Sequence, residues 1–87
     1  MELDPNQMTP VINRIKRAQG QLAGVLRLLE EGRDCEDVVT QLAAVSKALD
    51  RAGFAIVASG LQQCLAEGEG IDSVDVKKME KLFLSLA

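Results

Sequence analysis

The stretch CEDVVTQLAAVSKALDRAGFAIVASGLQQCLA, residues 35–66, decides the fold. It contains no proline, and Val38, Leu42, Val45, Leu49, Ile56 and Leu61 recur in it at helical spacing. Asp34, just ahead of it, reads as a helix N-cap, with Asp37 three residues on. The expectation is one helix of roughly 31 residues, about 46 Å long. Gly53 and Gly60 lie inside it. Each costs up to about 1 kcal/mol relative to alanine, so both need a packing reason.

Working outward, Thr9 reads as the N-cap of an earlier helix and Pro10 as its first residue. Ile15, Ala18, Leu22, Val25, Leu26 and Leu29 then repeat at spacings of three and four, and Gly32 reads as the C-terminal cap. Downstream, residues 67–70 read as a short loop. Asp72 or Ser73 starts a third helix with Val76, Met79, Leu82, Phe83 and Leu86 on its apolar face. Residues 1–8 are expected to be a flexible tail and residues 9–87 a single helical domain, with helices at about 10–31, 35–66 and 73–86.

The expected fold class is therefore all-α, a three-helix protomer with one long central helix. Composition agrees: apolar residues make up 47% of the chain but aromatics only 2%, so the core is aliphatic and suits helix-on-helix packing. At 87 residues a lone core is close to marginal. The long helix also outruns both its partners, which leaves part of its apolar face uncovered. An antiparallel four-helix-bundle dimer would bury it.

No apolar run approaches the roughly 20 residues needed to cross a bilayer, and Met1–Pro5 is acidic, unlike a signal peptide. A cytoplasmic location is expected. There, pairing of the two cysteines would be a response rather than a structural bond. The net charge of −3 argues against a nucleic-acid partner, but the distribution argues for one. From Thr9 to Leu29 there are four basic residues and no acidic ones. Arg14, Arg17 and Gln21 share one stripe, Lys16 and Arg27 lie on another flank, and Lys47 and Arg51 are one turn apart on the second helix. Such a surface suits phosphates and guanine edges. An ordinary solvated face has the same composition, and no recognition-helix motif is present.

Cys35 and Cys64 are 29 residues apart. On a continuous helix that is about 43 Å, yet both lie on one face. A disulfide needs Cα atoms within roughly 7 Å, so the two cannot meet in one chain. An antiparallel second copy places Cys35 of one chain beside Cys64 of the other. Val39, Ser46, Gly53 and Gly60 step along the same face, and the small ones would let two long helices approach closely. Cys35 falls in a first helical turn, where unpaired N–H groups favour negative charge, and Cys64 near a C-terminus, where they do not. Arg33 supports negative charge at Cys35, while Asp34, Glu36 and Asp37 oppose it. Cys35 is assigned as the attacking thiol and Cys64 as the resolving one. The alternative is that both are small buried apolar residues. The absence of histidine and of a C-x-x-C argues against a zinc finger.

The run Arg14-Ile15-Lys16-Arg17-Ala18-Gln19-Gly20-Gln21, then Gly24, Arg33-Asp34-Cys35 and Val39-Thr40-Gln41-Leu42-Ala43-Ala44-Val45, resembles the copper-sensitive operon repressor family over nearly the whole chain. The resemblance implies dimers pairing into homotetramers that hold operator DNA until an inducer releases them. It implies that Cys35 and Cys64, from different protomers, are the sensing pair. It also implies DNA contact by Arg14 and Arg51. The family's copper sensors carry a histidine one turn before the second cysteine; here Gly60 stands there. Asp34 replaces their second-shell tyrosine, and Glu80 matches their glutamate. Nickel, cobalt and formaldehyde sensing depend on histidine, so the chain most resembles the persulfide-sensing branch.

The resulting expectation is a non-enzymatic repressor without a cofactor, induced by sulfane-sulfur donors, with DNA contacts from Arg14, Lys16, Arg17, Gln21, Lys47 and Arg51. The alternative inducer is Cu(I), bound by Cys35 and Cys64 as a bis-thiolate. A thiol oxidoreductase and a plain helical interaction module are the competing readings from other classes.

Overall fold

Gly32 is where the chain reverses, and its φ of +68° is the left-handed conformation that glycine adopts at little cost. In the computed structural model, which describes residues 2–66 and 76–87, it lies between α1 (Thr9–Glu30) and α2 (Cys35–Cys64). The Gly32 N–H donates to the Leu29 carbonyl at 3.2 Å and the Arg33 N–H to the Leu28 carbonyl at 3.0 Å. This is a Schellman closure, and it satisfies carbonyls that the end of α1 would otherwise leave unpaired. Asp34 then starts α2, its carboxylate accepting the Glu36 N–H at 3.2 Å.

The start of α1 differs from expectation. Met8, not Thr9, is the N-cap, and Thr9 and Pro10 are the first two helical residues. The reason lies upstream. Pro5–Gln7 form a 3-10 turn that runs straight into α1, so the Met8 carbonyl accepts the first helical bond, from the Ile12 N–H at 2.8 Å. Proline is tolerated there because first-turn N–H groups have no helical acceptor.

Val11, Ala18 and Val25 of α1 are buried at steps of seven, as are Val45 and Ala52 of α2. They form the seam of the hairpin, with the spacing of a coiled-coil contact. Its small side chains bring the two helices close. A third helix, α3 (Val76–Leu86), lies on the C-terminal half of α2, where the Phe54 and Phe83 rings are 4.9 Å apart. The expected helix start at Asp72 or Ser73, and the loop at 67–70, lie outside the described residues. The all-α class is what the structure shows; among the described residues there is no strand.

The two α2 glycines have a packing reason, but not the one expected. A Cβ at Gly53 would sit 2.7 Å from Leu86 Cδ2, and one at Gly60 would sit 3.3 Å from Leu3 Cδ2. The close approach is made within the chain, by the end of α3 and by the segment ahead of α1. Within one protomer, the C-terminal half of this face is thus occupied by Leu86 and Leu3. The stretch expected to be a free tail carries these contacts because Leu3 and Met8 have apolar surface to bury, and Met8 is only 6% exposed.

The Cα extents are 53 × 26 × 12 Å, little more than one helix layer thick. Domains ordinarily bury their core between two layers. Here Leu22, Leu26 and Leu29 of α1 and Val39, Leu42 and Leu49 of α2 remain exposed.

Replacing Gly32 by alanine should lower unfolding stability by about 1 kcal/mol. Gly20→Ala, in open space on α1, should raise it by up to about 1 kcal/mol. Urea midpoints at constant slope would read both, and equal midpoints would contradict the assignment of Gly32 to the closure.

Candidate functional site

The two cysteines are the first and last residues of α2. The helix is unbroken, so at about 1.5 Å per residue they stand about 43 Å apart. Their surroundings differ. Cys35 is exposed and Cys64 is buried. On the Cys35 half of the shared face Val39 and Ser46 are open to solvent, whereas on the Cys64 half Gly53 and Gly60 are covered by Leu86 and Leu3. Around Cys35, Asp34 caps the helix and Glu36 and Asp37 occupy its first turn. Arg33, expected to support Cys35, instead faces Glu31, with Nη1 3.8 Å from Oε2.

Beside Cys64 sits Gln63, the one buried polar side chain among the described residues. Its Oε1 accepts the Asp4 backbone N–H at 2.6 Å, and its Nε2 donates to Met8 Sδ at 3.3 Å. Asp4 in turn caps the 3-10 turn, accepting the Asn6 N–H at 3.0 Å. Sequence reasoning missed Gln63, Asp4, Met8 and Leu3. The only available signal was a pair of apolar residues, Leu3 and Met8, in a stretch otherwise read as polar.

The basic residues partly converge. Arg14, Arg17 and Gln21 of α1 and Arg51 of α2 line one cleft of about 180 Å³, with Ala18 and Ala48 between them. The antiparallel register that sets Gly24 against Gln41 also sets Arg14 against Arg51. All four cleft side chains are exposed, and among the described residues none of the three arginines forms an ion pair. Their charge is uncompensated, which suits an anion such as phosphate. Lys16 lies elsewhere, beside an apolar groove of Leu3, Met8, Ile12 and Ile56. Lys47 is exposed on α2 but does not line the cleft.

The hairpin thus carries a cationic cleft across it and a thiol at each end of its long helix. The chain belongs to the family of metal-sensitive transcriptional repressors, whose family model matches residues 7–85. It is similar to the copper-sensing transcriptional repressor CsoR of Mycobacterium ulcerans, 37% identical over 68 residues, which are 74% of this chain and 58% of that protein. It is also similar to the copper-sensing transcriptional repressor RicR of Mycobacterium tuberculosis, 36% identical over 69 residues, covering 77% of this chain and 72% of RicR. A third relative, protein YrkD of Bacillus subtilis, is 43% identical over 53 residues, 59% of this chain and 84% of YrkD. This chain thus spans little more than half the length of the first of these proteins. No solved structure matches it.

The family is a class of regulators, not enzymes, as expected. The expectation that the chain works without a cofactor is corrected: its family is defined by metal sensitivity, and two of these relatives are copper sensors. That expectation rested on counting the missing histidine against the chain. Two thiolates alone are a soft donor set that suits Cu(I). Among the described residues of one protomer no cluster of three or more His, Cys, Asp or Glu side chains could hold a metal. The donors fit copper only if two subunits supply them. No helix among the described residues is long and apolar enough to cross a membrane.

Exposure orders the two thiols. Under limiting iodoacetamide the reduced protein should be modified at Cys35 before Cys64, as read by peptide mass spectrometry over a time course. The opposite order would contradict the burial of Cys64.

Proposed function

We propose that this chain is a DNA-binding repressor that releases its operator when Cu(I) is held between Cys35 of one subunit and Cys64 of the partner subunit. The observation that carries the proposal is the continuity of α2, with one cysteine at each end. Neither thiol can complete a two-thiolate site with the other of its own chain. The exposed leucines on α1 and α2 support a homodimer, and a dimer of dimers would extend the same burial. The copper-sensing relatives support the choice of metal. When bound, copper would supply a crosslink between subunits.

The DNA contacts are assigned to the cleft of Arg14, Arg17, Gln21 and Arg51, with Lys16 and Lys47 flanking it. A crosslink between subunits favours one relative orientation of the hairpins, and with it one spacing between their clefts. Operator release follows if the DNA-bound state needs a different spacing.

A second reading keeps the repressor and changes the inducer to a sulfane-sulfur donor. It is favoured by the lack of histidine and by Leu3 lying over Gly60, where a third donor would stand. In that reading the Cys35 thiolate attacks a polysulfide, takes one sulfur and expels the shortened polysulfide. The thiolate of Cys64 of the partner subunit then attacks the Cys35 sulfur of the persulfide and expels hydrosulfide, leaving a disulfide between subunits. Retention of further sulfur atoms would give a tri- or tetrasulfide.

Binding should be measured on a duplex taken from the promoter of the chain's own gene. Arg14→Ala and Arg51→Ala should each weaken it, and each should reduce the slope of log affinity against log salt by about one. Cu(I) should release the wild type but neither Cys35→Ala nor Cys64→Ala. Release by polysulfide and not by Cu(I), with crosslinked dimers in the non-reducing mass spectrum, would replace the first reading by the second. Salt-independent or absent DNA binding would remove both.

A further inference from the structure

We infer that residues Leu3–Met8 form a cap over the Cys64 end of α2, held shut by Gln63, that sets how fast this thiol can be reached. The inference deepens the reading of Cys64 as a sensing thiol and rests on it for its role, though not for its geometry.

Three observations carry it. First, Cys64 is buried at 8% exposure, although the residues that follow it, Leu65 and Ala66, are exposed. Second, Leu3 occupies the open side of Gly60, one turn before Cys64 on the same face of α2. A side chain at position 60 would need the space that Leu3 fills. Third, Gln63 grips the segment at both ends, through the Asp4 N–H and through Met8 Sδ. Both Gln63 and Met8 are 6% exposed, so water does not compete freely for these bonds.

The segment's other polar contacts among the described residues are local. The Asp4 carboxylate accepts from Asn6 and Gln7, and the Gln7 and Met8 N–H groups close the turn on Asp4 and Pro5. These bonds keep the turn intact whether or not it is docked. Undocking therefore costs two hydrogen bonds, the burial of Met8 and the contact of half-exposed Leu3 with Gly60. An opening of that kind belongs to the low-energy end of local unfolding.

The test uses the full-length reduced protein, free of metal and DNA. N-ethylmaleimide modification of Cys64 is followed by mass spectrometry, with exposed Cys35 of the same molecules as the reference. Leu3→Ala and Gln63→Leu should each raise the Cys64 rate relative to Cys35 by about three- to tenfold. Met8→Leu keeps the burial and loses the acceptor, and should give a smaller rise. An unchanged ratio in Leu3→Ala would overturn the cap, and since that variant alters no residue of α2, its result stands even if Gln63→Leu loosens the helix end. A raised ratio with unaltered Cu(I) and polysulfide responses on promoter DNA would leave the cap standing and remove Cys64 from sensing.

Discussion

An α-helix has a fixed rise, and α2 is unbroken from one cysteine to the other. This rigidity is the constraint on which the rest depends. It turns two thiols of one chain into groups that cannot react together or share a metal unless a second chain is present. The same rigidity keeps α1 and α2 in one register along their seam, so the arginine cleft is built from residues on both helices. A repressor of this family with no compact recognition unit can still present a defined cationic surface, because two helices of the same hairpin supply it.

The two ends of α2 are not alike. The Cys35 end lies beside the Gly32 closure, open to solvent and surrounded by carboxylates. The Cys64 end is enclosed by parts of the chain distant in sequence. Any inducer that engages both thiols meets one in water and one behind protein.

The local features were legible because local chemistry decides them. Gly32 and Asp34 mark helix ends whose hydrogen bonds involve residues only a few positions away. The separation of the cysteines follows from proline-free periodicity alone. What depended on register across elements was not legible. The small-residue stripe fitted a partner helix as well as it fitted Leu3 and Leu86, and only the fold brings those two leucines onto it. Stripe arithmetic on single helices placed Arg14, Arg17 and Gln21 together but could not show that Arg51 joins them while Lys47 does not. Gln63 was invisible for the same reason, since its partners lie at the other end of the sequence. The cofactor was misjudged because the missing histidine was counted against copper, although two thiolates are themselves a soft donor set.

Met8 holds two positions at once. It is the N-cap of α1, and its sulfur accepts a hydrogen bond from Gln63, the neighbour of Cys64. The root of the helix that bears Arg14 is therefore pinned to the thiol end of the other. Five residues of helix separate that pin from the first cleft arginine. The start of α1 and the Cys64 end of α2 are thus joined by a contact that lies apart from the hairpin turn.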